Sequence, residues 1–170
     1  MKRATRINRA GEWPKQEARD SVTLSHDTRY RRRLRLITDS GREFLLDLPQ
    51  AVMLRDGDGL ALDGGEWITI RAANERLAEI TCVDRHLLSR IVWHLGNRHV
   101  PTVVEEDRLL IQNDSVIVDM VRRLGALVRF VESPFYPEGG AYEIPAASSD
   151  THLNRGHDQG QRRRNPTQHG

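Results

Sequence analysis

The stretch LAEITCVDRHLLSRIVWHLGNRHVPTVVEEDRLLIQNDSVIVDMVRRLGALVRFV, Leu77 to Val131, carries the alternation of patterns that decides the fold. Leu77 to Cys82 reads as an apolar strand. The Asp84 that follows can cap a helix on which Leu87, Leu88, Ile91, Val92 and Leu95 recur along one side, with Gly96 closing it. Thr102 to Val104 and Leu109 to Ile111 read as two strands joined by the charged turn Glu105-Glu106-Asp107-Arg108. A second helix begins near Asn113-Asp114-Ser115, turns Val116, Ile117, Met120, Val121 and Leu124 inward and stops at Gly125, ahead of a last strand from Ala126 to Val131. That order, βαββαβ, is the ferredoxin-like arrangement, in which two helices cover one face of a four-stranded antiparallel sheet. The other face is left needing a cover, which predicts a partner surface.

Upstream the period changes. From Ser21 to Arg71 short alternating segments, Arg33 to Thr38, Glu43 to Leu48, Ala51 to Leu54 and Trp67 to Ile70, are separated by Asp39-Ser40-Gly41, Asp56-Gly57-Asp58-Gly59 and Asp63-Gly64-Gly65. The spacing fits a sandwich or half-open barrel. From Ala146 onward there is little to bury, and the composition predicts a disordered tail. The fold class is therefore α+β: a β-rich domain over residues 1–72, a ferredoxin-like domain over 73–145 and a tail over 146–170.

Composition narrows the function. A net charge of +2 over 170 residues does not argue for nucleic acid, although Arg31-Arg32-Arg33 and Arg162-Arg163-Arg164 are local clusters able to meet phosphate. RNA readers of ferredoxin-like shape display aromatic residues on the sheet, and neither Leu77 to Cys82 nor Leu109 to Ile111 contains one. Cys82 is the single cysteine, which excludes an intramolecular disulfide and fits a reducing, cytoplasmic setting. The basic N-terminus has no apolar run behind it, and no stretch approaches the roughly 18 apolar residues of a membrane span. No Gly-rich phosphate loop, GxSxG elbow or HExxH motif is present, so no enzyme is indicated. A β-rich domain that grips a partner peptide by an exposed edge strand is the alternative class.

Seven histidines stand at 26, 86, 94, 99, 152, 157 and 169, and no pair has the i, i+4 spacing that sets two ligands on one helical face. His94 lies at the edge of the apolar arc and reads as a packing histidine. His99 falls outside the helix near the surface, where a neutral imidazole can ligate a metal. His152, His157 and His169 lie in the tail, where a swinging ligand loses chain entropy on binding. Cys82 reads as a small hydrophobe, and Asp56-Gly57-Asp58-Gly59 as a hairpin turn rather than a calcium loop.

The combination of HLGNRHVP (94–101), DSVIVDMVRRLGA (114–126) and PFYPEGGAY (134–142), with LRDGDGLALDGG upstream, resembles the UreE family of urease accessory proteins. The resemblance implies a homodimeric nickel metallochaperone, not an enzyme, that delivers Ni(II) as cargo to apo-urease together with the urease accessory GTPase. The histidine of GNRH, here His99, is by that resemblance the metal ligand, one from each subunit meeting across the two-fold axis, with His152, His157 and His169 as further ligands. Imidazole also suits Zn(II) and Cu(II), which can bind the same site. Binding needs neutral imidazole, so affinity should fall below about pH 6.5, the ordinary histidine value. Where richer relatives carry histidines before the second helix this chain has Asn113, Asp114 and Ser115, and its tail is sparse, which predicts fewer nickel ions per dimer.

Overall fold

A computed structural model of the chain describes residues 1–139. The N-terminal part is one mixed six-stranded sheet, built from β1 (Lys2–Asn8), β2 (Ala18–Leu24), β3 (Tyr30–Ile37), β4 (Glu43–Met53), β5 (Gly59–Leu62) and β6 (Trp67–Ala72) in the order β2-β6-β5-β1-β4-β3. β1 runs parallel to β4, and β2 parallel to β6, while the remaining neighbours are antiparallel. The sheet curls over a core of Ala4, Val22, Leu24, Leu36, Phe44, Leu46, Leu60 and Ile70. Its two edge strands come together where the Asp39 N–H donates to Ser21 O (2.8 Å) and the Asp39 carboxylate accepts from the Thr23 N–H. The result is the curled, half-open barrel expected from the strand spacing.

Three details depart from the sequence reading. β1, β2 and β5 are not among the expected strands, yet β2 forms one edge of the sheet and β1 and β5 are adjacent in its middle. The segments 43–48 and 51–54 fall on one strand that ends at Met53, just short of Leu54, with the register slipping between the Asp47 and Val52 pairings, around Pro49. A four-residue helix, α1 (His26–Arg29), connects β2 to β3. The Asp56-Gly57-Asp58-Gly59 turn is a structural hub: the buried Asp58 carboxylate accepts from Arg9 Nη1 (2.7 Å), Ala10 N (3.2 Å) and Arg55 N (2.9 Å). Gly59 is required there because a Cβ would meet the Trp13 ring at 2.4 Å. Trp13 in turn stacks on Trp67 and donates to Gly57 O.

The second part has the expected order: β7 (Asn74–Thr81), α2 (Arg85–Gly96), β8 (Thr102–Val104), β9 (Arg108–Gln112), α3 (Ser115–Arg123) and β10 (Leu127–Pro134). The sheet order β10-β7-β9-β8, antiparallel throughout, is that of a ferredoxin-like unit. Both helices begin as read. The Asp84 carboxylate accepts from Leu87 N (2.7 Å), and that of Asp114 from Val116 N (2.8 Å) and Ile117 N (3.1 Å), caps worth about 1 kcal/mol each. Ala78, Ile80, Leu109 and Ile111 face the helices and pack with Ile91, Leu95, Val118 and Val121. Cys82, just past β7, is half-buried against this cluster, and burial pushes its thiol above its ordinary pKa.

The opposite face is less open than the sequence implied. Leu77 and Leu110 on that face are covered by Phe135, which is fully buried with them. The Glu138 N–H then donates to Thr102 O (2.8 Å) on β8, so the segment after β10 crosses the sheet from one edge to the other. Contacts from α1 fix this strap. The buried Arg29 guanidinium donates to Phe135 O and lies 4.8 Å above the Tyr136 ring, while His26 packs edge-on to Phe135 at 5.1 Å.

Beside the strap, Glu79 is 2% exposed and carries two guanidiniums, Arg129 Nε on one oxygen and Arg108 Nη1 (2.8 Å) on the other. The Arg129 hydrogen bond first, aided by Arg108, holds the Glu79 carboxyl below its ordinary 4.5, against the opposing effect of burial. A depressed folded-state pKa stabilises fully above the unfolded value and fades as pH falls through the folded one. Glu79→Gln should therefore unfold at lower urea than wild type at pH 7, with the gap closing as pH drops below about 4.5. A gap that is constant with pH would contradict the assignment.

Candidate metal site

The C-terminal end of α2 sets the one non-glycine residue, among the described residues, that lies in the left-handed region. The His99 N–H donates to Gly96 O (3.0 Å) and the Val100 N–H to Leu95 O (3.1 Å), the paired closure of a Schellman motif. Val100 and Leu95 pack in the same apolar cluster, which completes that motif. The geometry puts its positive-φ position on His99, at φ 53. Gly96, expected to end the helix, is its last helical residue and is absent from the positive-φ glycines. α3 closes by the same pair of bonds, Gly125 N to Arg122 O (3.0 Å) and Ala126 N to Val121 O (3.1 Å), and there the position is held by Gly125 at φ 102. Two equivalent helix ends thus use the usual glycine once and a histidine once. A side chain in this region costs roughly 1 kcal/mol relative to glycine, so His99 is a residue whose backbone position is strained.

His99 is exposed, and the loop behind it is held. The Arg98 guanidinium donates to His94 O (3.0 Å), and the half-buried His94 ring meets Trp93 edge-on at 5.0 Å, as befits a packing histidine. Trp93 itself is 63% exposed next to this loop. The signal available in the sequence is that this tryptophan lies off the apolar stripe of α2. The other described histidines are elsewhere: His86 is exposed in the first turn of α2, and His26 sits against Phe135. His152, His157 and His169 lie outside the described residues. Among the described residues no three His, Cys, Asp or Glu side chains converge as a metal group. The His99 imidazole at this loop can ligate, but a metal held there needs ligands from further along the chain or from a second copy.

Comparison with known proteins supplies the family. The model of the UreE urease accessory protein N-terminal domain matches residues 2–73, and that of its C-terminal domain matches residues 75–169. The chain belongs to the UreE family of urease accessory proteins. It is 51% identical over 146 residues to the urease accessory protein UreE of Bradyrhizobium sp. (strain ORS 278), covering 86% of this chain and 69% of that one. The protein of that name from Ruegeria pomeroyi is 51% identical over 136 residues, 80% of this chain and 88% of its own length. That of Beijerinckia indica is 48% identical over 142 residues, 84% and 82% of the two chains. UreE proteins are accessory chaperones and not enzymes, and the family handles nickel. No helix among the described residues is long and apolar enough to cross a membrane.

Proposed function

We propose that this chain is a nickel metallochaperone that works in the cytoplasm as a homodimer and delivers Ni(II) to apo-urease with the urease accessory GTPase. The observation that carries the reading is His99, exposed and held at φ 53 where the matching helix end uses glycine. Retaining a strained residue in place of a better-suited one calls for a use of its side chain. The imidazoles of His99 from the two subunits share one metal ion at the two-fold axis, and Zn(II) and Cu(II) compete for the same site. Two imidazoles leave coordination positions open, which suits a carrier that must release its cargo.

His152, His157 and His169 fill those positions from the tail over 146–170. The strap supports this assignment, because Glu138 is tied to Thr102, three residues beyond His99. Fourteen residues separate Glu138 from His152, and a random-coil chain of that length would span about 20 Å on average, long enough to return to a nearby loop. Residues 73–145 form the metal-binding and dimerisation domain, and residues 1–72 dock the partner proteins.

Calorimetric titration of Ni(II) into wild type and His99→Ala, with molar mass followed by light scattering, tests the reading. The variant should lose about one tight site per dimer while its mass stays that of a dimer. Full stoichiometry and affinity in the variant would move the metal to the tail and leave the GNRH loop a structural turn.

A further inference from the structure

We infer that the β3 edge of the N-terminal sheet is a docking surface for an acidic, extended segment of a partner protein. The inference rests on the partner-docking role proposed for residues 1–72. Among the described residues β3 pairs only with β4 over Tyr30–Ile37, and the contact with β2 at Asp39 lies past its C-terminal end, so along its length it is an edge strand able to accept another strand. Four of its eight residues are arginines, Arg31, Arg32, Arg33 and Arg35, and all four are exposed.

Their charges are poorly balanced. Register places Arg33 opposite Asp47 and Arg35 opposite Leu45, on the outer face of the sheet, where Arg3 of β1 joins them across β4. Arg3 and Arg33 share the Asp47 carboxylate at 3.6 and 3.8 Å, and Arg35 reaches Glu43 at 3.5 Å. These contacts are long and their arginines are solvent-exposed, and such pairs contribute little, so a partner carboxylate can replace them at small cost. Arg31 stands at the register slip and Arg32 within it, and neither meets a carboxylate among the described residues within salt-bridge distance. Guanidinium forks match carboxylates two bonds at a time, and the open strand edge supplies the backbone partners that an extended segment requires.

A nucleic acid is the less suited occupant. Single-stranded RNA binding relies on aromatic platforms along the charged track, and Tyr30 is the only aromatic residue of β3.

The test is fluorescence anisotropy of a labelled ten-residue peptide alternating Glu and Val, added to the full-length protein and to the R33E/R35E variant at several salt concentrations. Wild type should bind with strong salt dependence and the variant at least about tenfold more weakly, as expected when charge pairs in an interface are reversed. Nickel binding of the variant should be unchanged, and its melting temperature should fall only slightly, since both arginines are exposed but the new carboxylates face Asp47 and Glu43. R33K/R35K should retain part of the affinity. Equal peptide binding by wild type and R33E/R35E would overturn the inference, as would tighter binding of a ten-residue oligouridylate than of the peptide. Urease activation in cells is read separately: normal activation by a variant that has lost the peptide would retire the docking role of the domain and leave the acidic-segment surface standing.

Discussion

His99→Gly is expected to lose tight nickel binding and at the same time to become more stable than wild type. The two effects have separate causes at one residue. The Schellman closure of α2 demands a positive φ at position 99, and glycine adopts it without the steric penalty that a Cβ carries. Removing that penalty should raise stability by about 1 kcal/mol, less the extra freedom that glycine gives the unfolded chain. For a chain of this size the melting temperature should rise by about 2–4 °C per kcal/mol. Loss of the imidazole should weaken nickel binding by more than the roughly 10–100-fold typical of disturbing a group that only supports a ligand. His99→Ala keeps the strain and loses the ligand, so it should share the nickel defect without the gain in stability. Calorimetric melting and nickel titration of the three proteins decide the matter. A His99→Gly protein that binds nickel as wild type, or that melts lower, would show that the histidine serves the turn itself.

The comparison of the two helix ends also shows where sequence reading stops. The order of elements from β7 to β10 was legible because apolar periodicity switches from two to about 3.6 and back, with Asp84 and Asp114 standing where caps belong. Gly125 was legible as a helix stop for the same reason. Gly96 was legible as the end of α2, but the positive-φ position that closes it lies three residues later, on a residue type that the rule does not favour. β1 escaped notice because KRATRIN offers only Ala4 and Ile7 as apolar residues. Its central place depends on the fully buried Ala4, small enough to be packed on both neighbours. β5 is a four-residue strand between two turn signals, too short for alternation to register. At the candidate site, the position of His99 outside the helix was readable from the sequence, but its role came from the family resemblance. The strap and its Arg29 anchor had no local signature, because Arg29 and Phe135 are 106 residues apart and meet only in the folded chain.

Phe135→Ala is expected to be the most destabilising of these substitutions, at about 3–5 kcal/mol, and its damage should spread to the root of the tail. Phe135 is fully buried, and its ring closes the sheet face over Leu77 and Leu110, in a cluster with Val103 and Val131, and also meets the His26 ring. Removing a buried phenylalanine loses the transfer energy of the ring and leaves a cavity that a β-sheet floor cannot collapse to fill. The backbone bonds around it are the second consequence. Arg29 donates to Phe135 O, and Glu138 N to Thr102 O, so once the ring no longer anchors the strap both should exchange with water more often. Faster amide exchange at Glu138, beyond the increase at amides in the barrel around Ile70, is the expected pattern. The proposed tail ligands would then start from a less fixed point, so nickel affinity should fall modestly in Phe135→Ala while the proposed site on paired His99 persists. Uniform acceleration of exchange across residues 1–138 would mean that the ring supports global stability alone, and a Glu138 amide as protected as in wild type would show that the strap holds its place through Arg29 without it.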